Sequence, residues 1–291
     1  MSERRAADLA FAIALAERAG RLLASRYERV ESIELKGAKD VVTEVDHASE
    51  ALVLRAIRRR FPADGFLGEE GGARPVEPGP GQSGGPGRSA NAAARSHPAS
   101  DARPALAGGR VWVVDPLDGT VNFANGLPFF CFSLALVEDG RPVVGVIRDP
   151  LRRETFAASD DGPALLGGRP VRVSRKTRLV DLVVALSVAG RGAEARARSV
   201  RRVVRITRSM GSAALSCAYV ANGRFDAFGQ SAGLSSWDIA AAGLIAERAG
   251  ATVTAIDGGP WFRVDAPTGA LGLMAAPPAH HARLLELVRE P

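Results

Sequence analysis

The run Val111-Trp112-Val113-Val114-Asp115-Pro116-Leu117-Asp118-Gly119-Thr120 constrains this chain more than any other stretch. Four consecutive β-forming apolar residues need cover on both faces, which a strand inside a covered sheet supplies. The strand then ends in an acid, a tight turn, a second acid, a Gly and a Thr. Two carboxylates three residues apart on one turn converge on a point. Pro116 fixes the backbone so that the Leu117 carbonyl can point there as well. Hard cations such as Mg²⁺ take a few such oxygen ligands and keep room for water and phosphate. Gly119 and Thr120 then present backbone N–H groups suited to a phosphate. A strand-ending turn with Asx-type hydrogen bonds explains one Asp at such a place, but not Asp, Asp, Gly and Thr together.

Four further segments carry acids or small residues, and each has a plain reading of its own. Asp40-Val41-Val42-Thr43-Glu44-Val45-Asp46 opens a helical pattern, where the helix dipole favours acids. Leu67-Gly68-Glu69-Glu70 follows Phe61-Pro62 and reads as an exposed turn. Met210-Gly211-Ser212-Ala213-Ala214 opens another helix with residues small enough to cradle an anion or to pack closely. Trp237-Asp238 puts an acid in the first turn of an Ala-rich helix.

Periodicity supplies the frame. Leu9, Ile13, Ala16 and Leu23 predict a helix over 5–27, and Leu52, Ala56 and Ile57 predict a second over 46–60, ended by Phe61-Pro62. Strands are expected at 111–115, 129–137, 143–147 and 154–158, with turns at Gly140-Arg141-Pro142 and Asp149-Pro150. Strands and helices then alternate. Strands are expected at 171–173, 182–186, 203–207, 225–228, 252–255 and 271–275. Helices are expected at 191–201, 211–221, 237–249 and 278–289. A meander followed by alternation predicts an α+β half over 1–155 and an α/β half over 156–291.

Residues 71–109 break the pattern. Of these 39 residues, 28 are Gly, Ala, Ser or Pro, and only Val76 and Leu106 are large and apolar. Such a segment cannot bury enough surface to offset its ordering entropy, and it is expected to be a disordered surface insertion. Gly79-Pro80-Gly81-Gln82-Ser83-Gly84 and Gly81-Gln82-Ser83-Gly84-Gly85 imitate a dinucleotide loop and a nucleophile elbow. Both motifs need a strand before and a helix after, and Pro80 and Pro86 argue against both.

Composition narrows the class. With 46% hydrophobic and 24% charged residues over 291, the chain is an ordinary globular one, and two Cys exclude a disulfide scaffold. The net charge of +6 is small for the length, and Lys36, Lys39 and Lys176 are the only lysines. The basic residues are scattered, apart from Arg58-Arg59-Arg60, so no nucleic-acid partner is expected. The apolar run from Leu9 to Ala16 is bracketed by Asp8 and Glu17 and is too short for a span or a standard signal core. The expectation is a cytoplasmic protein without a membrane partner. Cys131 and Cys217 sit in apolar runs and are expected to be core thiols; His47, His97, His280 and His281 form no cluster.

Taken together, the acidic segments resemble the inositol monophosphatase family of metal-dependent phosphatases. Trp112-Val113-Val114-Asp115-Pro116-Leu117-Asp118-Gly119-Thr120-Val121-Asn122-Phe123 is similar to its first signature. Trp237 to Gly250 is similar to its second, and Asp46, Glu69 and Gly211-Ser212-Ala213 fall in the family's order. The resemblance covers nearly the whole chain outside 71–109. It implies a layered α-β-α-β-α sandwich, often a homodimer. It implies two or three Mg²⁺ ions: one at Glu69, Asp115 and the Leu117 carbonyl, a second at Asp115, Asp118 and Asp238, and a weaker third at Glu69 with Asp46 nearby. By the same resemblance Thr120 and Asp46, with Glu69, orient and deprotonate the attacking water. Gly119 and Thr120 hold the phosphate. Asp118, Gly211, Ser212, Ala213, Gln230 and Asp238 border the rest of a small phosphorylated metabolite. The sibling D-x-D-G-T pattern of haloacid-dehalogenase phosphatases is argued against by the extra residue between Asp115 and Asp118.

The substrate is less constrained. Many family members carry a Glu seven residues before the last metal Asp; here that position is Ser231, with Gln230 beside it and no acid between Phe228 and Trp237. Inositol 1-phosphate is the first expectation. Histidinol phosphate, fructose 1,6-bisphosphate and 3′-phosphoadenosine phosphate stay open, as does a non-catalytic phosphate- or metal-binding relative.

Overall fold

The computed structural model describes residues 1–35, 41–74 and 109–289. Helix α1 (Glu3–Arg26) begins at Ser2, whose hydroxyl accepts the Arg5 amide, and buries Leu9, Ala12, Leu15, Ala16, Ala19 and Leu23 along one stripe. A short hairpin, β1 (Ile33–Leu35) and β2 (Val41–Thr43), leads into α2 (Glu44–Arg60). Strands β3 (Gly65–Gly68), β4 (Gly72–Arg74) and β5 (Arg110–Asp118) precede a single-turn helix α3 (Thr120–Ala124). The meander follows as β6 (Cys131–Glu138), β7 (Arg141–Asp149), β8 (Glu154–Ser159), β9 (Leu165–Leu166) and β10 (Arg169–Pro170). The remainder is β11 (Val183–Ser187), α4 (Ala193–Val203), β12 (Ile206–Arg208), α5 (Ala213–Ala218), β13 (Ala227–Leu234), α6 (Ser236–Arg248), β14 (Thr252–Ala255), β15 (Leu271–Ala276) and α7 (Pro278–Arg289).

Two sheets result. The first has eight strands in the order β10-β9-β8-β7-β6-β5-β3-β4, and the second has five in the order β12-β11-β13-β15-β14. Three apolar cores separate five layers. One core joins α1 and α2 to the outer face of the first sheet through Leu15, Leu23, Val53, Ile57, Trp112 and Leu134. The central core packs α5 and α6 between the two sheets. The third packs α4 and α7 on the far face of the second sheet through Val200, Leu284 and Val288. The fold is the layered α-β-α-β-α sandwich.

Helix α6 lies unusually close to the first sheet. A Cβ at Gly145 on β7 would fall 2.9 Å from both the Cα and the carbonyl oxygen of Ala241, so the two backbones meet with no side chain between them.

Several expected boundaries change. The first sheet continues to Pro170, so a division at residue 155 falls inside β8. The stretch 171–173 is not a strand: the Val171 and Val173 amides bond to the carbonyls of Ala164 and Ala249, which ties it to the end of α6 instead. The expected insertion falls mostly on residues 75–108, outside the described residues, and its first part forms β4 against β3. No helix among the described residues is long and apolar enough to cross a membrane.

Candidate metal centre

Residues i and i+3 of a regular strand point to opposite faces of the sheet. Asp115 and Asp118 escape this rule through a bulge. Asp115 pairs with Ser133 and Asp118 with Cys131, so β5 advances three residues while β6 advances two. The extra residue turns both carboxylates to one side. Gly119 follows at φ 93°, where a side chain is strained, and a Cβ there would lie 3.1 Å from the Phe129 carbonyl. The chain thus turns directly from the second acid into α3.

Glu69 comes from the turn after β3, the parallel neighbour of β5, and its amide bonds the Val114 carbonyl at 3.2 Å. Asp238 arrives from another layer, at the start of α6. It closes a capping box with Ser235, whose amide donates to Asp238 Oδ2 at 2.6 Å. Oxygen atoms of Asp115, Asp118 and Asp238 all lie within 4.8 Å of one another. A cavity of about 190 Å³ is lined by these three acids, Glu69, Leu117, Gly119, Thr120, Val121 and Gly211.

Such crowding is costly without cations. Asp115 is pushed well above the usual carboxylate range, first by burial and then by the charges of Glu69, Asp118 and Asp238. Asp238 is raised in the same way, by burial and then by Asp118. Asp118 is also raised by burial, partly offset by the Ser212 hydroxyl and the amides of Ala213, Ala214 and Leu215. The donors are carboxylates and a carbonyl, without sulfur or imidazole, and this set fits a hard divalent cation.

Asp46 stands behind the cavity rather than in its wall. Its Oδ2 accepts the Thr43 amide at 2.8 Å and the Thr43 hydroxyl at 2.6 Å in the capping box of α2. Its Oδ1 faces the Thr120 hydroxyl, 3.1 Å away, which is also 2.9 Å from the Leu117 carbonyl. Asp46 therefore meets the centre through Thr120 rather than by lining the cavity.

A second cavity of about 320 Å³ adjoins the first and shares Asp118, Gly211 and Asp238 with it. Ser212, Ala213 and Gln230 line it, as does Arg208, whose guanidinium has no acidic partner among the described residues. Ser231 accepts the Ala189 amide at 2.9 Å.

The sequence reading missed the braces of this centre. On α2, Ser49 donates to the Pro116 carbonyl at 3.0 Å, and Glu50 Oε2 accepts the Glu70 amide at 2.9 Å. Both acid-bearing turns thus rest on one helix face. The signal was the spacing from Asp46, three and four residues on. Cys131, expected only as a core thiol, is buried with its Sγ 3.6 Å from Asp118. Trp112 packs on Phe61 and donates to Asp64, and Trp237 is buried in the central core.

A layered sandwich that focuses four carboxylates, a carbonyl and a polarised hydroxyl on one small cavity defines a metal-dependent hydrolase of phosphate esters. The model of the inositol monophosphatase family matches residues 5–291, and the chain belongs to that family of phosphatases, which act on small phosphorylated substrates. A fructose-1,6-bisphosphatase/inositol-1-monophosphatase of Thermotoga maritima is 34% identical over 255 residues, 86% of this chain and 85% of its own. The Nus factor SuhB of Pseudomonas aeruginosa is 36% identical over 260 residues, 86% of each chain. Among solved structures, the extragenic suppressor protein SuhB of Bartonella henselae matches with a TM-score of 0.80 at 30% identity, covering 98% of this chain and 99% of its own.

Proposed function

We propose that this chain is a Mg²⁺-dependent phosphomonoesterase that converts inositol 1-phosphate to inositol and phosphate. The observation that carries the reading is the convergence of Glu69, Asp115, Asp118, Asp238 and the Leu117 carbonyl beside the Thr120 hydroxyl. These oxygens would hold two Mg²⁺ ions, and Asp46 reaches the centre through the Thr120 hydroxyl. When bound, the ions lower the pKa of water and neutralise charge on the attacking and leaving oxygens.

The chain's own groups do the rest. Gly119 and Thr120 receive the phosphate at the turn after β5. The Thr120 hydroxyl orients the attacking water, takes its proton and passes its own to Asp46 Oδ1, a relay supported by the 3.1 Å contact. The water oxygen bonds to phosphorus as the bond to the alcohol oxygen breaks in line. Gly211, Ala213 and Gln230 border the leaving group in the adjoining cavity.

A second substrate reading is favoured by Arg208. A guanidinium in the leaving-group wall, with Ser231 committed to a backbone amide, suits a second anionic group such as that of fructose 1,6-bisphosphate. Phosphate release with Mg²⁺ from inositol 1-phosphate, histidinol phosphate, fructose 1,6-bisphosphate and 3′-phosphoadenosine phosphate tests both. Turnover of none of them would overturn the enzymatic reading, and the ratio of the first to the third separates the two substrates.

A further inference from the structure

Asp118 belongs to β5 of the first sheet, yet most of its hydrogen bonds come from the start of α5, 94 to 97 residues later. Its Oδ2 accepts the Ser212 hydroxyl, the Ala214 amide at 2.8 Å, the Leu215 amide at 3.4 Å and the Cys131 thiol at 3.6 Å. Its Oδ1 accepts, among the described residues, only the Ala213 amide, at 3.2 Å. A carboxylate offers about four acceptor sites over its two oxygens. Oδ2 is therefore fully committed to protein donors, while Oδ1 keeps capacity for a cation.

The Ser212 hydroxyl has one proton, and that proton goes to Asp118 rather than into the adjoining cavity. The same oxygen caps α5 by accepting the Leu215 amide at 3.4 Å. The expected role of Ser212 as a substrate contact thus competes with a bond already made.

We propose that Ser212 is a positioning residue of the cation centre: it clamps Asp118 Oδ2 and so dedicates Oδ1 to the metal. This rests on the reading of Asp118 as a cation ligand. Without the hydroxyl, Asp118 Oδ2 loses one of its donors and is held less firmly, by the amides of α5 and the Cys131 thiol alone. Cation affinity then falls.

Calorimetric titration with Mg²⁺ alone, in the absence of substrate, tests this on the full chain. Ser212→Ala is expected to bind Mg²⁺ roughly 10- to 100-fold more weakly than the unaltered protein, the usual effect of removing a group that orients a metal ligand. Ser212→Thr, which keeps the hydroxyl, is expected to restore affinity. Ser212→Gly keeps an acceptable helix cap without the hydroxyl and carries the same test if the Ala variant does not fold. Unaltered Mg²⁺ affinity in the Ala and Gly variants, or a raised KM for inositol 1-phosphate with unaltered Mg²⁺ affinity, would overturn the proposal. Absence of Mg²⁺ binding by the unaltered chain would instead remove the metal reading beneath it, and both would fall.

Discussion

The Thr120 hydroxyl donates to Asp46 Oδ1 across 3.1 Å, joining the turn after the first sheet's central acids to the cap of α2. If this pair activates water, Thr120→Val should lower kcat by roughly 10²- to 10⁴-fold while leaving Mg²⁺ affinity within a few-fold. Asp46→Asn should do the same and also cost roughly 1 kcal/mol of stability, because Asp46 closes a capping box. Steady-state kinetics and thermal melts measure both. Full turnover in either variant would sink the relay.

Acidity and cation binding should oppose each other. Burial and the neighbouring carboxylates raise Asp115 and Asp238 far above the ordinary range, and burial raises Asp118 too. Above pH of about 4 the folded cation-free chain therefore binds more protons at these groups than the unfolded chain does. Their contribution to stability is complete below that pH and is lost as pH rises through the raised values. Mg²⁺ replaces those protons, so the gain in Tm on adding Mg²⁺ should grow from pH 5 to pH 8. Melts in EDTA and in Mg²⁺ across that range give the difference directly. A gain independent of pH, or one that shrinks, would contradict the carboxylate assignment.

Arg208 separates the two substrate readings. Arg208→Gln should raise the KM for fructose 1,6-bisphosphate roughly tenfold or more, the loss of a charge-assisted hydrogen bond, and leave that for inositol 1-phosphate nearly unchanged. Equal effects on both substrates would show that the guanidinium reads no second anion.

The strand register makes a prediction about residues 75–108. Arg74 pairs with Phe66, and Gly65 pairs with Val111, so the chain leaves β4 and re-enters β5 at the same end of β3. Two strand spacings, about 10 Å, separate the ends. A six-residue Gly/Ser bridge spans that distance, and the shortened protein should keep its Tm within a few degrees and its phosphatase activity. Insoluble product would mean that the replaced residues contribute to the fold.

Much of the architecture was legible because its elements are strongly patterned. The buried run at Val111, the helix after Trp237 and the stripe from Leu9 to Leu23 all lie where periodicity puts them. The residues that converge were legible as types. How they converge was not. The bulge between Asp115 and Asp118 depends on pairing with Cys131 and Ser133, a matter of register rather than composition. The bond from Ser212 to Asp118 spans 94 residues, and no local pattern encodes it. The stretch 171–173 has strand composition, but its amides find partners outside any sheet.

The contact between Gly145 and Ala241 has a metrological consequence. Asp115 hangs from the sheet and Asp238 from the helix that lies upon it, so the gap between those carboxylates is gauged by the thickness of that contact. With backbone resting on backbone, the gauge has no adjustable side chain in it. One added methyl would lift the helix and open the jaws of the centre, far from any residue that touches a phosphate.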